Sequence, residues 1–289
     1  MKLTQLILIS FFYSFLTSCG QMERTPANEI KNQYTRHIVL DIDWTLVAEI
    51  KNPSERIKKL DRVVEVEGKY YFVNEGVEEF IESVLRKKDV SLSFYSGGSE
   101  SRNRLLLKKI KISDGRSLGD IAYKILNKED LITVPGAIPS APFSDRYKKD
   151  LTKISNNLEE LIMLDDNSNF VFEHNVPQRK NLFFLGTSFE FFETYNDSKL
   201  FLGKYIPKSY DEWLLDRRKF FIMSHAFNVA YEASLYGNMS FSEAMKLEEK
   251  KLDLASSKWN DFSKSYYQKN FLKSEVNCHD SARLIILGL

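Results

Sequence analysis

Short apolar runs separated by polar segments recur along residues 37–200. His37-Ile38-Val39-Leu40 is a β-branched run that stops at Asp41, which predicts a buried strand. Residues 63–73 alternate around Glu67-Gly68 and predict a hairpin. Val77, Phe80, Ile81, Val84 and Leu85 fall on one face at helical spacing. Val90–Tyr95 predicts a second core strand, stopped by Ser96-Gly97-Gly98, and a helix is expected over Ser99–Ile110. Residues 111–147 are irregular and hold Pro135, Pro139 and Pro142. A helix is expected over Leu151–Leu158, a third strand over Leu161–Leu164 ending at Asp165-Asp166, and a fourth over Leu182–Leu185. Strands alternating with helices predict an α/β fold: a Rossmann-like parallel sheet with helices on both faces.

The pattern changes near Tyr205. Ser209-Tyr210-Asp211-Glu212 is a capping box that opens a helix running towards Tyr236. Ser240-Phe241-Ser242-Glu243 opens a second helix, long and charged. Residues 201–289 therefore read as a helical C-terminal extension to a domain spanning 37–200, and their aromatics as packing surface. At the other end, Leu3–Leu16 is almost wholly apolar behind Lys2, over fourteen residues. That length suits a signal-peptide core and falls short of the ~20 residues of a membrane span. Leu16-Thr17-Ser18-Cys19-Gly20 resembles a bacterial lipobox. The resemblance implies a signal peptide over 1–18, a lipid on Cys19 and a tether through residue 36. Gly rather than Asp at position 20 implies the outer membrane, with the protein facing the periplasm.

Composition narrows the chemistry. Lys plus Arg total 41 and Asp plus Glu total 40, a net +1, so bulk charge gives no case for a nucleic-acid partner. Two cysteines and four scattered histidines make neither a disulfide framework nor a zinc pattern. With Cys19 lipidated, Cys278 is the leftover thiol. Its neighbours His279 and Asp280 do not make it a nucleophile, because triad members meet through the fold rather than by adjacency. Carboxylates, hydroxyls and lysines are left to do the chemistry.

Three of the predicted strands end in polar residues: Asp41, Ser96 and Asp165. Ligands of such sheets bind at the carboxyl ends of strands. Asp41 and Asp43, two residues apart after the first strand, can both enter one cleft as the chain turns. One carboxylate can attack phosphorus, while the other protonates a leaving oxygen and then activates water. With Asp165 they form an oxygen-donor set suited to Mg²⁺.

Asp41-Ile42-Asp43-Trp44-Thr45-Leu46, Ser96, Lys149 and Leu164-Asp165-Asp166 resemble, in order, the four motifs of the haloacid dehalogenase-like phosphatases. Asn74-Glu75-Gly76-Val77-Glu78-Glu79-Phe80, Lys149-Asp150-Leu151 and Glu173-His174-Asn175-Val176-Pro177 are most similar to the CTD-phosphatase-like (FCP/SCP, NIF-type) group. The sequence departs from that group at Glu75, where it has proline, at Trp44, and at Asp165-Asp166-Asn167-Ser168, leaving subgroup and substrate open. The resemblance implies a Mg²⁺-dependent phosphomonoester hydrolase. In it Asp41 is nucleophile and metal ligand, and Asp43 is acid/base, with its backbone carbonyl towards the metal. Thr45 belongs to the substrate-binding loop and positions it. Ser96 and the Gly97 amide hold phosphoryl oxygens, and Lys149 (with Lys148 as alternative) neutralises charge. Asp165 and Asp166 complete the metal site. His174 and His225 are expected to be structural.

Little chain separates Asp43 from Ser96, or Gly98 from Lys149, so no large cap is expected over the cleft. An open cleft admits a phosphorylated protein side chain or a small phosphomonoester. Two other readings stay open at this point. One is a nucleotidase resembling the class C acid phosphatases, which are lipoproteins of the same superfamily. The other is a non-catalytic scaffold on the same fold, whose binding surface would be the helical tail.

Overall fold

The structure is a computed structural model; it describes residues 34–173, 177–256, 260–265 and 267. Residues 1–33, with Cys19, and the positions His174, Trp259, Cys278 and His279 lie outside the described residues. Five parallel strands form the central sheet: β1 (Arg36–Leu40), β5 (Val90–Tyr95), β6 (Lys124–Leu126), β9 (Leu161–Asp165) and β10 (Leu182–Phe184). Their spatial order is β10-β9-β1-β5-β6. Leu40 lies opposite Phe94 on one side and Leu164 on the other. The next residues, Asp41, Tyr95-Ser96 and Asp165, therefore leave the sheet at one level. That shared register is what gathers the site.

Successive strand residues face opposite ways. Ile38, Leu40, Leu92, Phe94, Ile162, Leu164 and Phe183 join a core with four helices: α1 (Val77–Leu85), α2 (Glu100–Lys109), α3 (Tyr210–Tyr236) and α4 (Phe241–Leu252). Val39, Tyr95, Leu161, Met163 and Leu182 face a smaller core with Leu151, Ile154 and Leu158. The stretch 151–158 expected as a helix forms 3₁₀ turns at Leu151–Lys153 and Leu158–Glu160 instead. Two small sheets replace large caps. One is β2 (Val47–Ile50), β3 (Val63–Val66) and β4 (Lys69–Val73), in the order β2-β4-β3; the other pairs β7 (Ile132–Thr133) with β8 (Tyr147–Lys148).

The described residues fall in one compact unit, so the tail helices share the core of the sheet rather than extending from it. Phe80 of α1 packs on Phe220 (5.5 Å between ring centroids) and Phe227 (6.1 Å) of α3. Glu75, which stands where the resembling group has proline, docks that helix: its carboxylate accepts from Arg218 Nε (2.8 Å) and Arg217 Nη2 (3.3 Å). Gly76 beside it has φ 82°, and a Cβ there would meet the Phe221 nitrogen at 2.7 Å. Only glycine allows that approach in a left-handed conformation. α4 covers the edge of the sheet. Phe184 N–H donates to Glu249 Oε1 (3.0 Å) and Lys246 Nζ donates to the Leu182 carbonyl (2.7 Å), so β10 does not present a free edge there. No helix among the described residues is long and apolar enough to cross a membrane.

Candidate active site

The cleft lies at the carboxyl ends of β1, β5 and β9 and encloses about 710 Å³. Asp41 follows β1 directly, its N–H donating to the Leu164 carbonyl (3.0 Å). Asp165 closes β9, and its Oδ1 accepts from Asn167 N–H (2.7 Å). Lys149 directly follows β8 and bridges to Val171. Its N–H donates to Phe170 O (2.7 Å), and its carbonyl accepts from Phe172 N–H (2.9 Å). The buried ammonium lies 2.5 Å from Asp41 Oδ1 and 2.8 Å from Asp165 Oδ2, with the Phe170 ring centroid 4.4 Å away. Lys148 is turned away, its Nζ on the Asn169 carbonyl. Of the two candidate lysines, only Lys149 meets the carboxylates.

Asp41, Asp165 and Asp166 each offer an oxygen within 4.8 Å of the others. Burial, above all, pushes Asp41 well above the ordinary carboxylate range; Lys149 pulls it back, and Asp165, Asp166 and Asp43 push it further. Asp166 is pushed up to about 7, first by burial and then by Asp165. Burial works against the charge on Lys149, but Asp165 and Asp41 outweigh it and hold the ammonium above the usual lysine range. Three carboxyl groups share one buried ammonium in a desolvated place, so their ionised forms lack enough positive charge. An all-oxygen set of that kind fits a hard cation.

Asp43 lies outside this cluster, at the cleft mouth. Its Oδ2 accepts from Ser96 Oγ (3.0 Å) and Arg102 Nη1 (2.9 Å), and Arg102 Nη2 pairs with Oδ1. Ser96 Oγ in turn accepts from Gly98 N–H (3.0 Å). Gly97 lines the cleft, where a Cβ would meet the Phe143 ring at 2.7 Å. Thr45, grouped above with the substrate-binding residues, is fully buried and does not line the cleft. Instead it ties the first motif to the fourth: Asp166 N–H donates to Thr45 Oγ1 (3.1 Å), which faces Asp166 Oδ1 at 3.3 Å. His225 is half-buried on α3 and does not line the cleft.

Two cations here were not among the sequence candidates. Arg102, in the first turn of α2, is largely buried and stacks over Tyr71 of β4 at 4.8 Å while clamping Asp43. Its sequence signal is its place one turn into the helix that follows Ser96-Gly97-Gly98. Lys219 of α3 is buried and donates to Ser188 Oγ (2.7 Å) and Asp216 Oδ1 (2.9 Å), with the Trp44 carbonyl at 3.5 Å. The Ser188 hydroxyl also donates to that carbonyl. Trp44 needs this hold, because a bulky residue at φ 64° is strained. Its ring, half open at the rim, rests 5.4 Å from Tyr205. Arg102→Gln is expected to lower kcat by roughly 10–100-fold by freeing the Asp43 carboxylate. KM and melting temperature should change little, and steady-state kinetics beside a thermal melt checks this.

A family model described as NLI interacting factor-like phosphatase matches residues 36–207, and the chain belongs to that family. It is a phosphatase. Among solved structures it is similar to a variant of the fission yeast RNA polymerase II CTD phosphatase Fcp1 bound to beryllium fluoride, at 13% identity and a TM-score of 0.38. It is also similar to Fcp1, an essential RNA polymerase II CTD phosphatase, at 13% identity and 0.39. Each alignment covers 87% of this chain and 69% of the other. No curated protein matches the chain. Helix α3, with Lys219, lies beyond the residues matched by the family model.

Proposed function

We propose that the chain is a Mg²⁺-dependent phosphomonoesterase that works through an aspartyl-phosphate on Asp41. The observation that carries this is the Asp41 carboxylate held on Lys149 at the cleft floor, with a second carboxylate, Asp43, two residues on at the mouth. Asp41 forms the new O–P bond as the bond from phosphorus to the leaving oxygen breaks, and Asp43 gives that oxygen its proton. Asp43 then takes a proton from water. The water oxygen attacks phosphorus, the Asp41–phosphorus bond breaks, and phosphate leaves. Arg102 holds both Asp43 oxygens in the resting site, so it must release one before Asp43 meets a leaving group. Lys149 compensates the charge of Asp41 as an anionic phosphoryl group approaches. Mg²⁺ on Asp41, Asp165 and Asp166 would supply further electrostatic compensation for two approaching anions.

Turnover of p-nitrophenyl phosphate should require Mg²⁺ and stop with EDTA; turnover that ignores EDTA contradicts the reading. Stability gives a second readout. Asp166 is raised in the folded state to about 7, so between its unfolded value near 3.8 and about 7 the folded state binds more protons. Stability of the metal-free protein therefore falls as pH rises through that window. Cation binding should offset the loss. The rise in melting temperature on adding Mg²⁺ is expected to be several degrees at pH 8, a shift worth roughly 1–2 kcal/mol, and smaller at pH 5. His37, lowered to about 4 by burial and then by Lys124, makes its own contribution at acid pH; it is the same with and without Mg²⁺ and drops out of the difference.

We extend the proposal to location: the chain is a bacterial envelope lipoprotein, anchored through Cys19 and facing the periplasm from the outer membrane. The sequence Leu16-Thr17-Ser18-Cys19-Gly20 after an apolar core supports it. Metabolic labelling with palmitate is expected to mark the wild type and to be lost in Cys19→Ala.

A further inference from the structure

The rim of the cleft continues into a loop whose apolar residues face outward. Leu200 is 84% exposed, Phe201 55% and Leu202 101%. The loop is held in place rather than loose. Glu190 N–H donates to the Tyr205 carbonyl (2.8 Å), Tyr195 Oη donates to the Lys208 carbonyl (3.0 Å), and the Phe201 ring packs on Phe192 (5.4 Å). Apolar side chains fixed outward in this way mark a contact surface.

Charge identifies the partner. Lys199, Lys204 and Lys208 are all exposed, and residues 199–208 contain no Asp or Glu. Of the neighbouring acids, Glu190 pairs with Lys51, Glu193 with Arg56, Asp197 lies in its own helix cap and Glu212 accepts from the Lys208 N–H, while Asp211 stays exposed at the start of α3. Behind the loop, Tyr195, Tyr210 and Trp213 form a row, with centroids 6.2 Å and 5.7 Å apart. Apolar tips, flanking lysines and amphipathic rings are together the chemistry of an anionic membrane interface.

We propose that residues 199–208 are a membrane-contact loop, dipping Leu200, Phe201 and Leu202 below the headgroups of an anionic bilayer while the lysines meet lipid phosphates. Tyr205 belongs both to this loop and to the cleft lining, against Trp44. The cleft mouth then opens at the bilayer surface, towards phosphomonoesters presented there. Only this last consequence rests on the proposed activity; the contact itself does not. A chain anchored through Cys19 would keep the loop beside such a surface.

The test uses the full chain in a Cys19→Ser, Cys278→Ser background, with a nitroxide on Leu202→Cys or, as control, on Lys88→Cys. Lys88 is exposed and lies two residues before β5, at the end of the sheet opposite the cleft. On vesicles containing phosphatidylglycerol, the label at 202 should gain oxygen accessibility and lose nickel-chelate accessibility, while the label at 88 stays in water. The readout is local, so binding through residues 1–18 does not imitate it. Leu200→Asp should reduce the oxygen-to-nickel accessibility ratio at 202 by about tenfold, with turnover of p-nitrophenyl phosphate unchanged. A label at 202 that stays in water on bound protein overturns the proposal. So does one that loses access to both reagents, which would mean that protein covers the loop.

Discussion

Asp41→Asn is expected to lose phosphatase turnover, by on the order of 10⁴-fold or more in kcat, because no other group can take the nucleophile's place. The same substitution should not cost stability in the metal-free protein. Burial, chiefly, already holds the Asp41 carboxyl well above its ordinary range, so an uncharged amide suits the position. Lys149 keeps Asp165 as its partner at 2.8 Å. The melting temperature without metal should hold or rise at pH 8, and the shift produced by Mg²⁺ should shrink. A variant that is inactive because it is unfolded would reverse the first of these results, so kinetics and melts together separate chemistry from collapse.

Lys149→Met should behave oppositely, losing both activity and stability. The methionine keeps the aliphatic stem but leaves Asp41 and Asp165 without their ammonium in a buried site. Breaking such a pair costs about 3–5 kcal/mol, a large part of the roughly 5–15 kcal/mol that holds a domain together. Burial already raises the Asp41 carboxyl, and without the ammonium that pulls it back it favours its protonated form still more, so the loss grows as pH rises and lessens towards acid pH. Urea unfolding at pH 5 and pH 8 measures the difference. In kcat, loss of the charge that meets the phosphoryl group is expected to cost on the order of 10²–10³-fold.

The site was legible because each chemical motif abuts a strand end, and parallel register brings strand ends together. Asp41, Ser96 and Asp165 needed only that geometry. The choice between Lys148 and Lys149 needed the third dimension, since adjacent residues of an extended segment point opposite ways. Residues 151–158 mislead because Leu151, Ile154 and Leu158 repeat at helical spacing while in fact lining one face of the sheet from two 3₁₀ turns. β6 escaped notice because three residues beginning with Lys124 are too few to show alternation. The capping box at Ser209 marks helix α3 as part of a C-terminal extension, and its mix of Leu214, Leu215, Phe220, Phe221, Ile222 and Met223, which leaves no fully polar face, is what buries it in the core. Arg102 and Lys219 stayed hidden because a lone cation carries no pattern; only its partners, 59 and 175 residues away in Asp43 and Trp44, give it meaning.

The most direct measurement is chemical trapping of the intermediate. Protein mixed with p-nitrophenyl phosphate and Mg²⁺ is quenched during turnover, reduced with borohydride and digested for mass spectrometry. An acyl phosphate on Asp41 is converted to homoserine at position 41, and that is the predicted result. An unmodified Asp41 during demonstrated turnover, or phosphate recovered on Ser96 or another side chain, would contradict the mechanism.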